Sequence, residues 1–324
     1  MRIVFPLTLA SALGCSALLG GCAGGSPAPT SLVPSAAIRH VSSRSLKPDG
    51  GEVPPYLFVS DPDNTEYQND GDIQFFHNDN YRSSGIITAG LDGPLDLFVD
   101  DQSNLYAANV ANVTEYAPDS YGDALFTYSA GLYYPTSVAV DRQQNLFVSQ
   151  AWAGHGFPGG VSEYSQQVNS VVAECLPSPS GGSAFGIAVD STGDVFLSWS
   201  YGSTSQILEY RGGLGSCNSR KIKVGFLPLG LAIDKHNDLL VAAADEVIIL
   251  DPPYTSISQV LASGFNTAAT VHLNRQNTLA YVTDIRDCDV QVLNYPSGTL
   301  VKMLGTQDGL FCPYGAVDSP NAVY

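Results

Sequence analysis

A recurring aspartate is the feature of this sequence that most suggests chemistry. Copies occur at intervals of 40–49 residues, and asparagine takes the place once: Asp100, Asp141, Asp190, Asp234, Asn274 and Asp318. Each ends one apolar run shortly before the next begins, where an Asp or Asn side chain accepts backbone N–H groups in a tight turn. Since asparagine makes the same turn but replaces a carboxylate poorly at a metal, we predict turn caps. A ring of metal ligands is the alternative.

A second acidic group precedes the repeats and comprises Asp61, Asp63, Glu66, Asp70 and Asp72. Alternating oxygen ligands are what calcium requires, and Asp61-x-Asp63-x-Thr65 begins such a pattern. The pattern then fails, because Glu66 stands where an EF-hand needs glycine. We expect a solvated acidic loop, with calcium binding as the alternative and no other cofactor.

Histidine and serine spacing predicts no catalytic residue. The five histidines lack metal-ligand spacing, and no Gly-x-Ser-x-Gly motif occurs. His272 lies in an apolar run where other copies carry Ala or Phe, so we expect it to pack rather than catalyse. The sequence therefore favours a protein that is not an enzyme.

The elements that carry these residues are repeats of about 40–50 residues. In the first copy, four apolar runs cover residues 94–100, 104–107, 113–116 and 125–128, separated by Gly, Pro, Asn and Asp. Four short runs of this kind predict an antiparallel four-stranded sheet. Repetition at this period predicts an all-β protein, a six-bladed β-propeller of four-stranded antiparallel blades.

The two ends of the repeat region supply complementary parts of one blade. Residues 313–318 match a first run, whereas residues 56–60, 73–76 and 85–88 match second, third and fourth runs without a first. We therefore predict a last blade closed by both termini, which removes an exposed sheet edge. The predicted propeller spans residues 54–319, and residues 320–324 form a tail.

The segments Gly186–Asp190 and Pro228–Asp234 resemble NHL repeats, and Leu279–Asp284 is similar to the YVTN type. The resemblance implies a propeller and no particular chemistry. Gluconolactonase-like lactonases and streptogramin lyases share such a ring. The Glu-x-His pair of the lyases does not occur here, and the metal ligands of the lactonases have no assignable counterparts.

Aromatic residues cluster in loops predicted to lie on one face of the ring, together with one histidine: Tyr133, Tyr134, Trp152, His155, Phe157, Trp199 and Tyr201. Exposed aromatic side chains suit sugars, aromatic ligands or a protein partner. The alternative is that these rings plug the channel mouth or pack between blades. We predict a ligand- or partner-binding face.

Four cysteines fall within the predicted propeller, and an even number in an exported protein favours disulfides. Cys288 and Cys312 both map to loops of the aromatic face, which predicts one bridge. Cys175 and Cys217 then pair by elimination, unless their Cα atoms lie more than about 7 Å apart.

The N-terminal residues have the layout of an export signal, with one Arg, an apolar stretch and small residues. Leu19-Gly20-Gly21-Cys22 resembles the lipobox of bacterial lipoproteins, which implies a signal peptide at 1–21 and lipidation of Cys22. Cleavage without lipidation is the alternative. Residues 22–53 read as a flexible tether. The expected location is the cell envelope, periplasmic or outer-surface side, with membrane contact through the lipid anchor only.

Composition narrows the function classes. Charged residues make up 14% of the chain, against about 25% in an average protein. A formal net charge of −17 repels phosphate backbones, so we expect no nucleic acid partner. We predict a membrane-tethered, non-catalytic module that binds an unknown ligand or an envelope protein. The alternative is a metal-dependent, lactonase-like or lyase-like enzyme with its site at the channel mouth.

Overall fold

The computed structural model describes residues 56–62, 71–118, 121–151 and 159–319. The predicted signal peptide, Cys22, the tether and the tail lie outside the described residues. No helix in the described part of the chain is long and apolar enough to cross a membrane.

The regular secondary structure of the described residues is β-strand, apart from one short 3-10 helix. The strands are β1 (Tyr56–Asp61), β2 (Asp72–His77), β3 (Ser83–Ile87), β4 (Leu97–Val99), β5 (Leu105–Ala108), β6 (Val113–Tyr116), β7 (Phe126–Tyr128), β8 (Pro135–Val140), β9 (Leu146–Gln150), β10 (Gly160–Tyr164), β11 (Val171–Cys175), β12 (Ser183–Val189), β13 (Val195–Tyr201), β14 (Thr204–Tyr210), β15 (Ser219–Ile222), β16 (Leu231–Ile233), β17 (Leu239–Leu250), β18 (Gln259–Leu273), β19 (Leu279–Asp284), β20 (Asp289–Asn294), β21 (Leu300–Leu304) and β22 (Ala316–Asp318). A short 3-10 helix, Thr306–Asp308, lies between β21 and β22.

Five antiparallel sheets contain these strands. We name them the first sheet (β4 to β7), the second sheet (β8 to β11), the third sheet (β12 to β15), the merged sheet (β16 to β21) and the closing sheet (β22, β1, β2, β3). Four of them have four strands, as expected. The prediction of six separate blades is wrong, because the merged sheet contains six strands and combines two of the predicted repeats.

The merger arises because β17 and β18 are unusually long. Residues 231–233 of β16 pair with 239–241 of β17, whereas 246–249 of β17 pair with 259–263 of β18. The ladder continues through the pair Ala244 and Ala268, and β18 then pairs with β19 over 268–273. Ala244 has a φ of 50°, which lets the chain bend without leaving the sheet. Backbone continuity, rather than side-chain pattern, thus joins the two repeats.

The closing sheet confirms the predicted use of both ends of the repeat region. Leu57, Phe58 and Val59 of β1 pair with Asp318, Val317 and Ala316 of β22. The inner strands touch in a closed cycle, from β4 through β8, β12, β16, β18 and β22 back to β4. The sheets therefore surround a common axis, which is the arrangement of a β-propeller.

Burial decreases from the axis to the perimeter. All residues of β4 and β8 are buried, whereas the outer strands β11 and β21 each expose three of five residues. Apolar side chains fill the spaces between successive sheets. The rings of Phe58 and Tyr121, for example, meet edge to face at 4.9 Å, and those of Tyr128 and Tyr164 at 5.7 Å. Stacking of sheets buries apolar faces that a single sheet would leave in water.

Hydroxyl groups near the ends of second strands also link one sheet to the next. Ser60 donates to the carbonyl of Leu95 and Ser149 to that of Phe185. Thr283 donates to the carbonyl oxygen of Tyr314 over 2.7 Å. These bonds fix the spacing of the inner strands, around which the two faces of the ring are built.

Candidate functional site

Four of the recurring aspartates, and the asparagine that replaces one, cap turns as predicted. Asp100 Oδ1 accepts hydrogen bonds from the backbone N–H groups of Gln102 and Asn104, at 2.9 and 2.8 Å. Asp141, Asp190 and Asp234 repeat the arrangement, and the amide oxygen of Asn274 accepts from two backbone N–H groups in the same way. We call the end of the ring that carries these turns the turn face.

Asp318 differs from the other copies. Its carboxylate accepts from the side chain of Asn78 in the same sheet, and the residues after Ser319 lie outside the described part of the chain. Burial raises the pKa of Asp318 to about 7, although the hydrogen bond from Asn78 opposes the shift. Its role is to join β22 to the hairpin that follows β2.

The ring axis contains a cluster of three polar side chains from different sheets. Asp96, before β4, receives a hydrogen bond from the hydroxyl of Ser137 in β8, and its Oδ1 lies 2.8 Å from Nε2 of His272 in β18. All three residues are buried. The carboxylate stands between the serine and the histidine, whereas a hydrolytic relay needs the histidine between serine and carboxylate. The cluster therefore ties three sheets together, and His272 is both packed and hydrogen-bonded.

The opposite end of the ring, where first strands begin and second strands end, we call the loop face. There the last residue of a second strand holds the loop that enters the first strand of the same sheet. Asp61 accepts from the backbone N–H groups of Phe311 and Cys312, and Gln150 Oε1 accepts from Tyr133 N at 3.0 Å. Asn109 makes the equivalent contact. Asp61 thus serves the fold, and residues 63–70 of the predicted calcium loop lie outside the described residues.

Among the described residues of this type, Asp284 accepts the most hydrogen bonds. Its carboxylate accepts from the N–H groups of Asn266 and Thr267 in the entering loop, at 2.6 and 2.8 Å. It also accepts from Arg286 and Asp287, which follow it in the turn. We refer to Asp284–Asp289 as the acidic hairpin.

Asp289, at the other end of the acidic hairpin, lies in an unfavourable electrostatic environment. It pairs with Asp284 across the ladder and is itself buried, and its Oδ1 has no hydrogen-bond partner within the described ranges. Burial and then the negative charge of Asp284 raise the pKa of Asp289 to about 6, against a hydrogen bond from Gln291. Two like charges facing each other across strands destabilise a sheet.

The third sheet has a tryptophan at the place where four other repeats have these polar residues and the first repeat of the merged sheet has Ala243. Trp199 is paired with Ala184 in the ladder, and its ring packs over Gly182, where a Cβ atom would lie only 2.4 Å from the indole. The side chain is 1% exposed, so the expectation of an exposed ring is wrong for Trp199. Packing, the alternative, describes its position. We refer to Trp199–Gln206 as the neutral hairpin.

Among the described residues, three aromatic side chains are exposed at the loop face. Tyr133 and Tyr201, both predicted, are 48% and 43% exposed, and Tyr134 is half-buried. Phe311, which the sequence reasoning missed, is 52% exposed. The sequence does indicate this position, because Phe311 precedes Pro313 by two residues just as Tyr133 precedes Pro135. The other predicted residues of this face, Trp152, His155 and Phe157, lie outside the described residues.

Both predicted disulfides are confirmed. Cys288 in the acidic hairpin is bonded to Cys312 in the loop before β22, with Cα atoms 4.4 Å apart. Cys175 at the end of β11 is bonded to Cys217, with Cα atoms 5.3 Å apart, so the two outer positions are close enough. Each bridge links two neighbouring sheets.

In the described part of the chain, no three His, Cys, Asp or Glu side chains are grouped so that they could hold a metal ion. The polar residues of the loop face are instead occupied with backbone N–H groups. What this face offers to a second molecule is aromatic surface.

Comparisons with known proteins support the fold alone. No protein-family model and no curated protein sequence matches the chain. A solved protein of unknown function from Bacteroides caccae matches with a TM-score of 0.63 and 14% identity, over 82% of this chain and 98% of that one. A chain of the nidogen/laminin complex matches with a TM-score of 0.62 and 15% identity, over the same shares. Together with the ring of sheets, these neighbours define the chain as a β-propeller protein.

Proposed function

We propose that this β-propeller is a non-catalytic binding module, exported and held at the cell envelope by a lipid on Cys22. Its loop face receives a ligand or a protein partner. The observation that carries the proposal is the exposure of Tyr133, Tyr201 and Phe311 at one end of the ring. Large aromatic side chains supply much of the binding energy of interfaces and lose little conformational entropy on binding.

The polar side chains of the ring are already engaged in holding the fold together, which supports a binding role carried by the exposed aromatic side chains. Asp61, Gln150 and Asp284 hold entering loops, and Asp96 is bonded to Ser137 and His272. Among the solved neighbours, the nidogen/laminin structure is a protein complex, so a similar ring there belongs to an assembly.

The test compares two sets of exposed side chains on purified protein that starts after the signal peptide. One variant carries Tyr133→Ala, Tyr201→Ala and Phe311→Ala. The matched control carries Val172→Ala, Leu300→Ala and Met303→Ala, which remove equally exposed apolar groups from outer strands of the perimeter. Each is screened by thermal shift against peptides and oligosaccharides.

We expect the wild type to yield a ligand that still stabilises the perimeter variant but not the loop-face variant. A ligand lost only from the perimeter variant would contradict the proposal. So would one calcium, manganese or zinc ion per chain in the purified protein, because a stoichiometric metal supports the lactonase-like or lyase-like alternative.

The anchor is tested separately in a bacterial host with an alkyne-tagged fatty acid. Full-length protein is expected to incorporate the label and to partition into detergent, whereas Cys22→Ser is not. Cys15→Ser is the matched control, because Cys15 is the other cysteine of the N-terminal segment and has a poorer lipobox before it. Label retained in Cys22→Ser would overturn the anchoring proposal.

A further inference from the structure

The neutral hairpin differs in chemistry from the rest of the loop face. From Val195 to Leu208 the chain contains no charged residue, and its exposed tip consists of Tyr201, Gly202, Ser203 and Thr204. The rings of Trp199 and Tyr201 lie nearly parallel, at 9°, with centroids 6.2 Å apart. The hairpin therefore presents a flat aromatic face bordered by hydroxyl groups.

Trp199 departs from a polar pattern that four of the other five repeats follow, Ala243 being the other exception. At the same place, Asp61, Asn109, Gln150 and Asp284 accept N–H groups from the entering loop, whereas tryptophan has no acceptor. The indole N–H is buried and has no hydrogen-bond partner in the described part of the chain. An unpaired buried donor costs about 1–3 kcal/mol, and such groups call for an explanation other than stability.

The geometry of the turn makes this aromatic face rigid. Tyr201 pairs with Thr204 and Ser200 with Ser205, so only Gly202 and Ser203 form the loop. Gly202 alone has a positive φ, at 59°, which is the pattern of a type II′ hairpin turn. A ring held by a short ordered turn loses little freedom when a ligand binds.

The side chains at the tip select the class of ligand. A basic ligand would find no carboxylate here, in contrast to the acidic hairpin, and an acidic ligand would find no cation. Sugars combine apolar C–H faces, which stack on aromatic rings, with hydroxyl groups that hydrogen-bond to serine and threonine.

We propose that the neutral hairpin is a carbohydrate-binding platform on which a neutral oligosaccharide stacks against Tyr201. Trp199 supports the Tyr201 ring from within, and Ser203 and Thr204 supply hydroxyl groups at its edge. This inference rests on the proposed function, because it assigns a ligand class to one part of the loop face.

The test uses tryptophan fluorescence, because the chain has only two tryptophans. In a Trp152→Phe background, Trp199 is the remaining fluorophore. Cellotetraose, chitotetraose and maltotetraose are titrated into this protein, and we expect at least one to shift the emission with a Kd of about 1 mM. Calorimetry on the wild type checks the same affinity without a probe.

Three variants then locate the sugar. Tyr201→Ala is expected to weaken binding about tenfold, since an aromatic contact contributes about 1 kcal/mol or more. Tyr201→Phe keeps the ring and should stay within about twofold of the parent. Val172→Ala, an exposed apolar residue of the outer strand β11 on the perimeter, should leave the affinity unchanged. Both sites are exposed, so melting temperatures should not move.

The outcomes separate this inference from the proposed function. If no tetrasaccharide binds but a ligand from the thermal-shift screen still needs the loop face, the carbohydrate proposal fails and the binding module stands. Equal losses in Val172→Ala and Tyr201→Ala would also overturn the platform. If neither sugars nor any screened compound requires this face, both proposals fail.

Discussion

The neutral hairpin and the acidic hairpin occupy equivalent places in the repeat, yet their side chains perform different work. Asp284 accepts four backbone N–H groups of its own chain. Trp199 accepts none and leaves a buried donor unpaired. The acidic hairpin stabilises the propeller. The neutral hairpin departs from the repeat at Trp199 and exposes the aromatic side chain of Tyr201 two residues further on. Local rules are most often broken where a protein binds something.

The acidic hairpin is braced from two directions. The bridge from Cys288 to Cys312 ties it to the loop before β22, and Asp61 holds the same loop through the N–H groups of Phe311 and Cys312. This junction lies where the two ends of the propeller meet. The disulfide and Asp61 therefore hold the acidic hairpin in place despite the repulsion between Asp284 and Asp289. Removing each support in turn measures its contribution.

The largest effect should come from the disulfides. The double variant Cys288→Ser/Cys312→Ser is expected to lose about 3–4 kcal/mol of unfolding free energy, because the bridge closes a loop of 24 residues in the unfolded chain. Urea denaturation measures the loss. The control, Cys175→Ser/Cys217→Ser, opens a loop of 42 residues and should lose a similar amount. A loss below about 1 kcal/mol at the first bridge would show that it does not brace the closure.

The second effect concerns Asp284 itself. Asp284→Asn keeps the shape of the side chain but replaces one acceptor oxygen with an N–H₂ group that faces backbone donors. We expect a loss of about 2–3 kcal/mol, measured as a lower urea midpoint at pH 7.5. Asp245→Asn, at an exposed position of β17 next to the bend at Ala244, is the control and should be neutral. A neutral Asp284→Asn would remove the contrast between the hairpins.

The third predicted change, at Asp289, raises the free energy of unfolding instead of lowering it, and its size depends on pH. The pKa of Asp289 is about 6, raised chiefly by burial, against an ordinary value of 3.8. A raised carboxyl pKa means that the folded state holds the proton more tightly, so stability falls as pH rises from about 4 through 6. Asp289→Asn should therefore gain about 1–2 kcal/mol at pH 7.5 and almost nothing at pH 4.

Thermal unfolding at the two pH values checks this expectation against Asp251→Asn, an exposed aspartate of the merged sheet region. The control should behave the same at both pH values. A gain at Asp289 that is equal at pH 4 and pH 7.5 would mean that the carboxylate charge is not the source of strain.

The repeat pattern predicts most of the fold because its determinants are local. Apolar runs and Asp-capped turns follow from spacing, and the missing first run near one end predicts the strand at 316–318. The merged sheet is not predictable in this way, since it depends on the backbone path through Ala244.

The site is harder to predict because its contacts join distant residues. His272 and Asp96 are 176 residues apart, and neither of their apolar runs contains a pattern that predicts their hydrogen bond. The order of strands places Trp199 in a loop of the aromatic face, but Trp199 lies within β13, and Gly182, just before β12, leaves room for the indole to be buried. Tyr133 and Tyr201 are predictable because the same strand order places their loops on that face.

The smallest stability effect should come from Trp199→Phe. This change removes the unpaired indole N–H, which relieves about 1–3 kcal/mol, and it also removes packing volume over Gly182, which costs a similar amount. The net change in unfolding free energy should stay within about 1 kcal/mol, far from the loss at Asp284→Asn. A loss above about 3 kcal/mol would show that the indole N–H does stabilising work in the folded state. In that case Trp199 would be a structural residue like Asp284, and the hairpins would differ in composition but not in role.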